Sequence, residues 1–494
     1  MQSQGILSTP YQHQQSCFEL SKDRKAFAIF SEMGTGKALM CLMTAAYLYN
    51  ANKIKRLLVV APKGCYGIWF DTEVPKHLDK NLPYKIAYWS SYQTKDVKKQ
   101  LDDLEKGDEA LRILVVNIEA CTSDKAVEAM YEFLKKQPTM FVVDESTSLK
   151  NPLAKRTKIM INLGKFAEYR RICTGNPIPN GAVDLYAQSE FLGHNLLGFQ
   201  NFFAFKNRFA IIQEKRYGNR VFKQVVGYRD IEALKAIMAR FSFVCKKEDC
   251  LDLPPKVYQT IDVEMGPKQT AAYNAMLRDA FIQLSSSQVT APMIITQLLR
   301  LHQIVCGFLK ADDGSETEFD EPNSRMAQLL DVLEQAPGKV TIWATYRKNV
   351  RDIVAAITEK YGAHSVVDYY GETSADDRRY AKQAFQDPDS IVKYIVSNPA
   401  SGRFGNTWTQ ATTVVYYSNS YDLESREQSE DRAHRIGQVG ALHGAELDPS
   451  VLYIDLRVRD TVDDKIIRVL KAKKTLSDEI VASNWRWLLG GQAA

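Results

Sequence analysis

Short apolar runs alternate with longer stretches of mixed apolar and charged positions, and the alternation occurs twice along the chain. In the first half the runs are Ala26–Phe30, Leu57–Ala61, Ile113–Val116, Met140–Val143 and Arg171–Cys173. In the second they are Val340–Ala344, Ser365–Tyr369, Tyr394–Ser397, Thr413–Tyr417 and Val451–Leu456. Brief runs rich in β-branched residues, set between helical patterns, predict strands buried on both faces of a parallel sheet. Two such sets predict an α/β protein with two doubly wound parallel-sheet lobes and helical insertions between them.

Between the sets the pattern changes. Phe191–Phe243 is aromatic and basic, with a hairpin expected around Tyr217-Gly218-Asn219. Leu253-Pro254-Pro255-Lys256 reads as a rigid break, Met265–Phe308 as helical, and the acidic stretch Ala311–Glu321 as a solvated loop. Thr461–Val481 spaces its apolar residues as a helix packed on a lobe. The resulting division is a first lobe over 1–190, insertions and linker over 191–320, a second lobe over 321–460 and a bracing helix with tail over 461–494.

A length of 494 residues exceeds what one ordinary core serves. No apolar run approaches the ~18 residues of a membrane span, and the N-terminus has no apolar signal region, so no membrane partner is expected. Eight cysteines lie scattered. Cys245 and Cys250 are the nearest pair, with no second pair or histidine cluster in sequence, and read as reduced thiols rather than zinc ligands. An intracellular, cytoplasmic location is expected, in a bacterium or a virus-infected host. The net charge of +5 permits a nucleic-acid partner without requiring one.

The chemistry-bearing residues narrow the field. Ala26–Phe30 leads into Met33-Gly34-Thr35-Gly36-Lys37-Ala38, and a helical pattern follows. Strand, glycine loop and helix form a phosphate cradle: backbone N–H groups approach the phosphates and Lys37 reaches the outer ones. Such a loop usually ends in Ser or Thr, whose hydroxyl ligates Mg²⁺; Ala38 offers a methyl, and Thr35 is not expected to substitute. Met140–Val143 ends in Asp144-Glu145. Asp144 is expected to hold Mg²⁺ through water and Glu145 to orient and deprotonate the attacking water. Far away, Arg432 and Arg435 are spaced to share a helix face and to offset charge developing on the γ-phosphate. Tyr11 and Gln12 are placed to read adenine.

These motifs, in this order, resemble the Swi/Snf-type ATPases of helicase superfamily two, in a minimal viral or bacterial form. Pro10-Tyr11-Gln12 resembles the family's adenine-reading element, Glu32–Lys37 its motif I, and Ala61-Pro62-Lys63 with Trp69 its motif Ia. Asp144-Glu145-Ser146 resembles its DEAH-type box, and Thr174-Gly175-Asn176-Pro177-Ile178 with Asn180 its motif III. Leu253–Lys256 and Leu299–Ile304 resemble connecting segments of the family, and Gly371-Glu372-Thr373 with Arg378 a second-lobe element. Gly402, Gly405, Thr409 and Ala411 resemble motif V, interrupted by Arg403 and Phe404; Gln428 with Asp431–Gln438 resembles motif VI.

The resemblance implies two RecA-like lobes that use ATP and Mg²⁺, with Gly405 also reaching the nucleotide. It implies a monomeric DNA translocase on duplex or branched DNA, with Lys63, Asn117, Thr174, Gly175, Arg347 and Thr373 as candidate DNA contacts. Protein partners are left open. A phosphate grip makes binding sequence-tolerant and salt-dependent. Two alternatives stand beside translocation: a nucleotide-gated DNA-binding protein whose hydrolysis Ala38 impairs, and a strand-separating helicase. The block Phe199–Lys223 is either a DNA-facing protrusion or a protrusion with its own aromatic core.

Overall fold

The computed structural model describes residues 5–92, 94–107, 109–217, 220–285, 291–311, 313–319, 323–402, 407–435 and 450–481. Gly405, Arg403, Phe404, Gly218, Asn219, the end of the second arginine motif (436–438) and the tail beyond 481 lie outside them.

The chain forms two compact units, 1–213 with 224–252 and 475–494, and 214–223 with 253–474. The segment 191–320 is thus shared between them. In the first unit the strands are β1 (Ala26–Ser31), β2 (Arg56–Ala61), β3 (Tyr84–Trp89), β4 (Leu111–Asn117), β5 (Thr139–Asp144) and β6 (Tyr169–Thr174). β7 (Ala210–Tyr217) and β8 (Arg220–Tyr228) pair with each other, and β9 (Ser242–Cys245) returns to the main sheet. That sheet has seven parallel strands in the order β3-β4-β2-β5-β6-β1-β9. Its side chains alternate between two cores: Phe30, Val60, Val116, Phe141 and Val143 line one face, and Ile29, Val59, Val115 and Val142 the other. Burial on both faces is why these strands read as continuous apolar runs.

The second unit contains β10 (Lys256–Asp262), the short antiparallel pair β11 (Phe308–Lys310) and β12 (Glu316–Glu318), then β13 (Lys339–Trp343), β14 (Val366–Tyr369), β15 (Tyr394–Ser397), β16 (Ala411–Tyr416) and β17 (Val451–Arg457). Six of them form a parallel sheet ordered β10-β17-β16-β13-β15-β14. Val340, Ile342, Val415 and Ile454 face one core; Trp343, Val414, Tyr416 and Tyr453 face the other. The stretch expected to be helical is two helices, Pro267–Ser285 and Ala291–Val305, and the acidic loop holds β12. The bracing helix runs Val462–Val481. Among the described residues no helix is long and apolar enough to cross a membrane.

The aromatics of the block join the core beneath the first sheet and do not form one of their own, sharing a cluster with Phe141 and Phe191. Phe205 and Phe209 are buried, and Phe199, Phe202 and Tyr186 pack around them at ring separations of 5.1–5.7 Å.

The second unit is pinned by a buried charge cluster. Arg325 pairs with Asp463 and donates to the Tyr417 carbonyl. His302 faces Asp463 at 3.6 Å and bonds the Tyr346 hydroxyl at 2.9 Å. Burial opposes charge on His302, but the Cys306 thiol and Asp463 outweigh it and raise its pKa from 6.5 to about 10. A raised pKa stabilises the fold fully below the unfolded value and loses that contribution as pH climbs through the folded one. Melting of the second unit should therefore fall between pH 6.5 and about 10, and a His302→Gln variant should flatten that slope in pH-resolved calorimetry.

Candidate nucleotide site

Strand order builds the site. β1, β6 and β5 are neighbours, so their carboxyl ends set the phosphate loop, Thr174 and Asp144-Glu145 side by side. Open parallel sheets bind ligands at this edge. Gly34 and Gly36 take left-handed φ values of 85° and 84°. Gly36 caps the helix Lys37–Asn50, and a Cβ there would lie 2.2 Å from Gln14 Nε2, so only glycine fits. Lys37, the helix's first residue, directs Nζ to the Ser31 carbonyl at 3.0 Å.

The helix Gln12–Ser21 is stitched to this loop. Gln14 Nε2 donates to the Thr35 carbonyl at 2.8 Å, and His13 Nε2 bonds the same oxygen at 2.9 Å. Gln14 Oε1 accepts from the Tyr11 N–H at 2.9 Å, closing a capping box. Tyr11 stacks on His13 and, like Gln12, is exposed. Sequence reasoning missed His13 and Gln14; their only signal was polarity next to Tyr11 and Gln12.

The acidic pair is held from two sides. The buried Trp69 indole donates to Asp144 Oδ2 at 2.9 Å. Burial pushes the Asp144 carboxyl up, while the Lys37 ammonium and the indole pull the other way. Glu145 is buried with φ of 48°, in the left-handed region that non-glycine residues rarely occupy. Such strain concentrates at functional sites. The Thr174 hydroxyl donates to Glu145 Oε2 at 3.3 Å, which fixes the carboxylate's direction. Gln188, buried and overlooked in sequence, joins Ser146 (2.7 Å) to the Pro177 carbonyl (2.7 Å), locking the acidic segment to motif III. Its signal was an amide at a buried position of the helix Leu185–Leu192.

Asp144, at the end of β5, offers the kind of hard oxygen donor a divalent cation takes. Ala38 supplies none. Thr35 is buried and its hydroxyl is engaged with the Glu32 carbonyl and Ser31 Oγ, each at 2.7 Å.

Several candidate DNA contacts also sit at carboxyl edges. In the first unit Lys63 follows β2 and Asn117 ends β4; both meet at Glu119, through bonds of 3.0 and 2.9 Å. Thr174 is buried, and Gly175 lies beside the Met33 backbone. In the second unit the exposed Arg347 pairs with Glu372 at 3.1 Å, and the Thr373 hydroxyl accepts from the Tyr370 N–H at 3.0 Å. On that unit the helix Leu423–Glu430 leads to the arginines. Arg432 is 1 % exposed, with Nε donating to the Gln428 carbonyl at 3.0 Å. Arg435 is half-buried and donates to Thr407 Oγ1 at 3.2 Å.

Two RecA-like parallel-sheet lobes, one with a phosphate loop beside an acidic pair and one with an arginine motif, define the class of helicase-like ATPases. The SNF2-related domain matches residues 11–307 and the helicase conserved C-terminal domain residues 323–437. The chain belongs to the SNF2-related family. A SWI/SNF-related matrix-associated actin-dependent regulator of chromatin subfamily A-like protein 1 homolog from Caenorhabditis elegans is 27% identical over 96% of this chain and 62% of its own length. DNA annealing helicase and endonuclease ZRANB3 from Mus musculus is 24% identical over 88% of this chain and 38% of its own. The chain thus spans less than two thirds of either relative. Putative protein p41 of Acyrthosiphon pisum secondary endosymbiont phage 1 is 22% identical, over 95% of this chain and 96% of its own. The Sulfolobus solfataricus SWI2/SNF2 ATPase core in complex with dsDNA is a solved structure 24% identical to this chain, with a TM-score of 0.43, over 100% of this chain and 97% of that one.

Proposed function

We propose that this chain is an ATP-dependent DNA translocase, in which DNA-stimulated hydrolysis drives movement on duplex or branched DNA. The observation that carries the reading is the line of groups at one sheet edge: Lys37 on the phosphate loop, Thr174 bonded to Glu145, and Asp144 held by Trp69. Lys37 binds the outer phosphates of ATP. Glu145, aimed by Thr174, orients water and takes its proton. Bound Mg²⁺, held by Asp144, would neutralise phosphate charge. Arg432 and Arg435 act on the γ-phosphate when the second lobe engages, and Gly405 also reaches the nucleotide. Lys63, Asn117, Gly175, Arg347 and Thr373 serve a phosphate grip on DNA, with Thr174 supporting it from within. Binding is then sequence-tolerant and weakens steeply with salt.

The test is ATP turnover with duplex, forked and single-stranded DNA, alongside triplex displacement. Stimulation by duplex, with the third strand displaced and the underlying duplex intact, is the expected result. Separation of that duplex would favour the strand-separating helicase instead.

The second reading, a nucleotide-gated DNA-binding protein with little turnover, draws on Ala38. With the Thr35 hydroxyl engaged inside the loop, no other loop hydroxyl substitutes at that position. Restoring it should matter: Ala38→Thr is expected to lower the Mg²⁺ concentration needed for half-maximal turnover by about tenfold, one charge-assisted oxygen ligand's worth. A Mg²⁺ titration of ATPase rate in both proteins checks this. Negligible turnover in both, with DNA present, would leave the second reading standing.

A further inference from the structure

The nearest cysteine pair in the sequence has a third partner that the sequence did not show. Cys245 ends β9 and Cys250 ends the helical turn Lys247–Cys250. Both thiols reach the Lys246 carbonyl, at 3.5 and 3.1 Å, so the two sulfurs share one acceptor. His13, from the other end of the unit's sequence, bonds the Thr35 carbonyl at 2.9 Å and stands near enough to Cys250 to favour its thiolate. Cys245 is buried; Cys250 is half-buried.

This cluster is fastened to the phosphate loop at two points. The Glu32 N–H donates to the Cys245 carbonyl at 3.1 Å, and the Lys247 N–H donates to Glu32 Oε2 at 2.9 Å. On the other side His13 stands near Cys250 and bonds Thr35. We propose that Cys245 and Cys250 are an oxidative modification site for peroxides, whose disulfide form loosens the phosphate loop and weakens nucleotide binding. The proposal rests on the nucleotide-site reading above.

The steps balance. Cys250 sulfur attacks one oxygen of the peroxide; the S–O bond forms, the O–O bond breaks, and the second oxygen leaves as water or an alcohol after taking a proton. The sulfur is oxidised to a sulfenic acid and the peroxide is reduced. Cys245 then loses its proton and attacks that sulfur; the S–S bond forms, the S–O bond breaks, and water leaves. Two thiols and one peroxide thus yield one disulfide, with hydrogen peroxide giving two waters. The roles follow from the surroundings. The Cys245 thiol, with His13 behind it, draws Cys250 down to about 6 against its burial. The neighbouring Cys250 and burial push Cys245 up. The half-buried sulfur attacks once its proton has left, and the buried one is the resolver. A disulfide needs sulfurs about 2.05 Å apart, so the turn must tighten and the Lys246 carbonyl loses both S–H donors.

The test treats the full chain with hydrogen peroxide and reads two quantities. One is the covalent state: trypsin cuts after Lys246 and Lys247, so the bridge would join two tryptic peptides that dithiothreitol separates. The other is affinity for a fluorescent ATP analogue, expected to fall about tenfold on oxidation, one charge-assisted hydrogen bond's worth, and to recover on reduction. Cys250→Ser and Cys250→Ala should abolish both changes. Cys245→Ser should stop at a sulfenic acid that dimedone traps. A Cys41→Ser variant controls for the other close thiol pair, Cys41 and Cys173 at 3.3 Å, which is buried. The proposal is overturned by no bridge, by a bridge without an affinity change, or by an affinity change that survives in both Cys250 variants. Failure of reduced protein to bind the analogue would sink the nucleotide-site reading instead, while the bridge would still be seen.

Discussion

Arg435→Ala is expected to slow DNA-stimulated ATP turnover by about 10³–10⁵-fold, the range for removing an arginine that stabilises a transferring phosphoryl group. Nucleotide affinity should change only a few-fold. The two arginines of the motif are not equivalent in their surroundings. Arg435 is half-buried and donates to Thr407 Oγ1, a neutral hydroxyl, at 3.2 Å, a bond that a phosphate oxygen can outcompete. Arg432 is buried at 1 % exposure, its Nε tied to Gln428 and its carbonyl accepting from the Trp408 N–H at 2.9 Å. Truncating Arg432 therefore removes a packed, hydrogen-bonded group and should lower the melting temperature as well as the rate, whereas Arg435→Ala should leave melting unchanged. Single-turnover hydrolysis measured beside thermal melts separates the two. A near-normal rate in Arg435→Ala would remove that residue from the chemistry. Arg435→Lys should rescue little, since a point charge cannot reproduce the planar fork.

The same contrast explains what could be read from sequence. Strands with apolar residues on both faces, such as Leu57–Ala61 and Met140–Val143, stand out because both faces are buried. Strands that lack this property did not. β10 is an edge strand whose Val257, Tyr258 and Gln259 are exposed, so its sequence lacks a buried run, and only its first residue, Lys256, falls within the expected proline break. β3 is the opposite edge of the first sheet, and β9 is only four residues long. Edge position and brevity erase the pattern that burial writes.

Within the site, the groups proposed to act on phosphate were legible because that chemistry demands particular residues in a particular order along the chain: glycines and Lys37 after β1, two acids after β5. The groups that position them were not. His13, Gln14 and Gln188 work through bonds to residues far away in sequence, and Thr35, Ser146 and Pro177 do not advertise those partners. Glu145 was legible as an acid, but its left-handed backbone was not, because that conformation follows from the turn Ser146–Leu149 it caps.

That backbone bears on the second large effect. Glu145→Gln is expected to reduce turnover by about 10²–10⁴-fold, the range for losing a positioned general base, while ATP and DNA still bind. Gln keeps the volume and can still accept the Thr174 hydroxyl, which now donates to Glu145 at 3.3 Å. The fold and the loop should thus be unchanged, and only the proton acceptor is lost. Thr174→Val makes the complementary test. It leaves the carboxylate in place but frees its direction, so it should reduce kcat with little change in KM and should leave the pH dependence of the rate intact. Glu145→Gln should abolish that dependence in whatever activity remains. If Glu145→Gln hydrolysed ATP at the parent rate, the strained acid at the end of β5 would be a capping residue for the turn that follows it, and the proton would have to leave by another route.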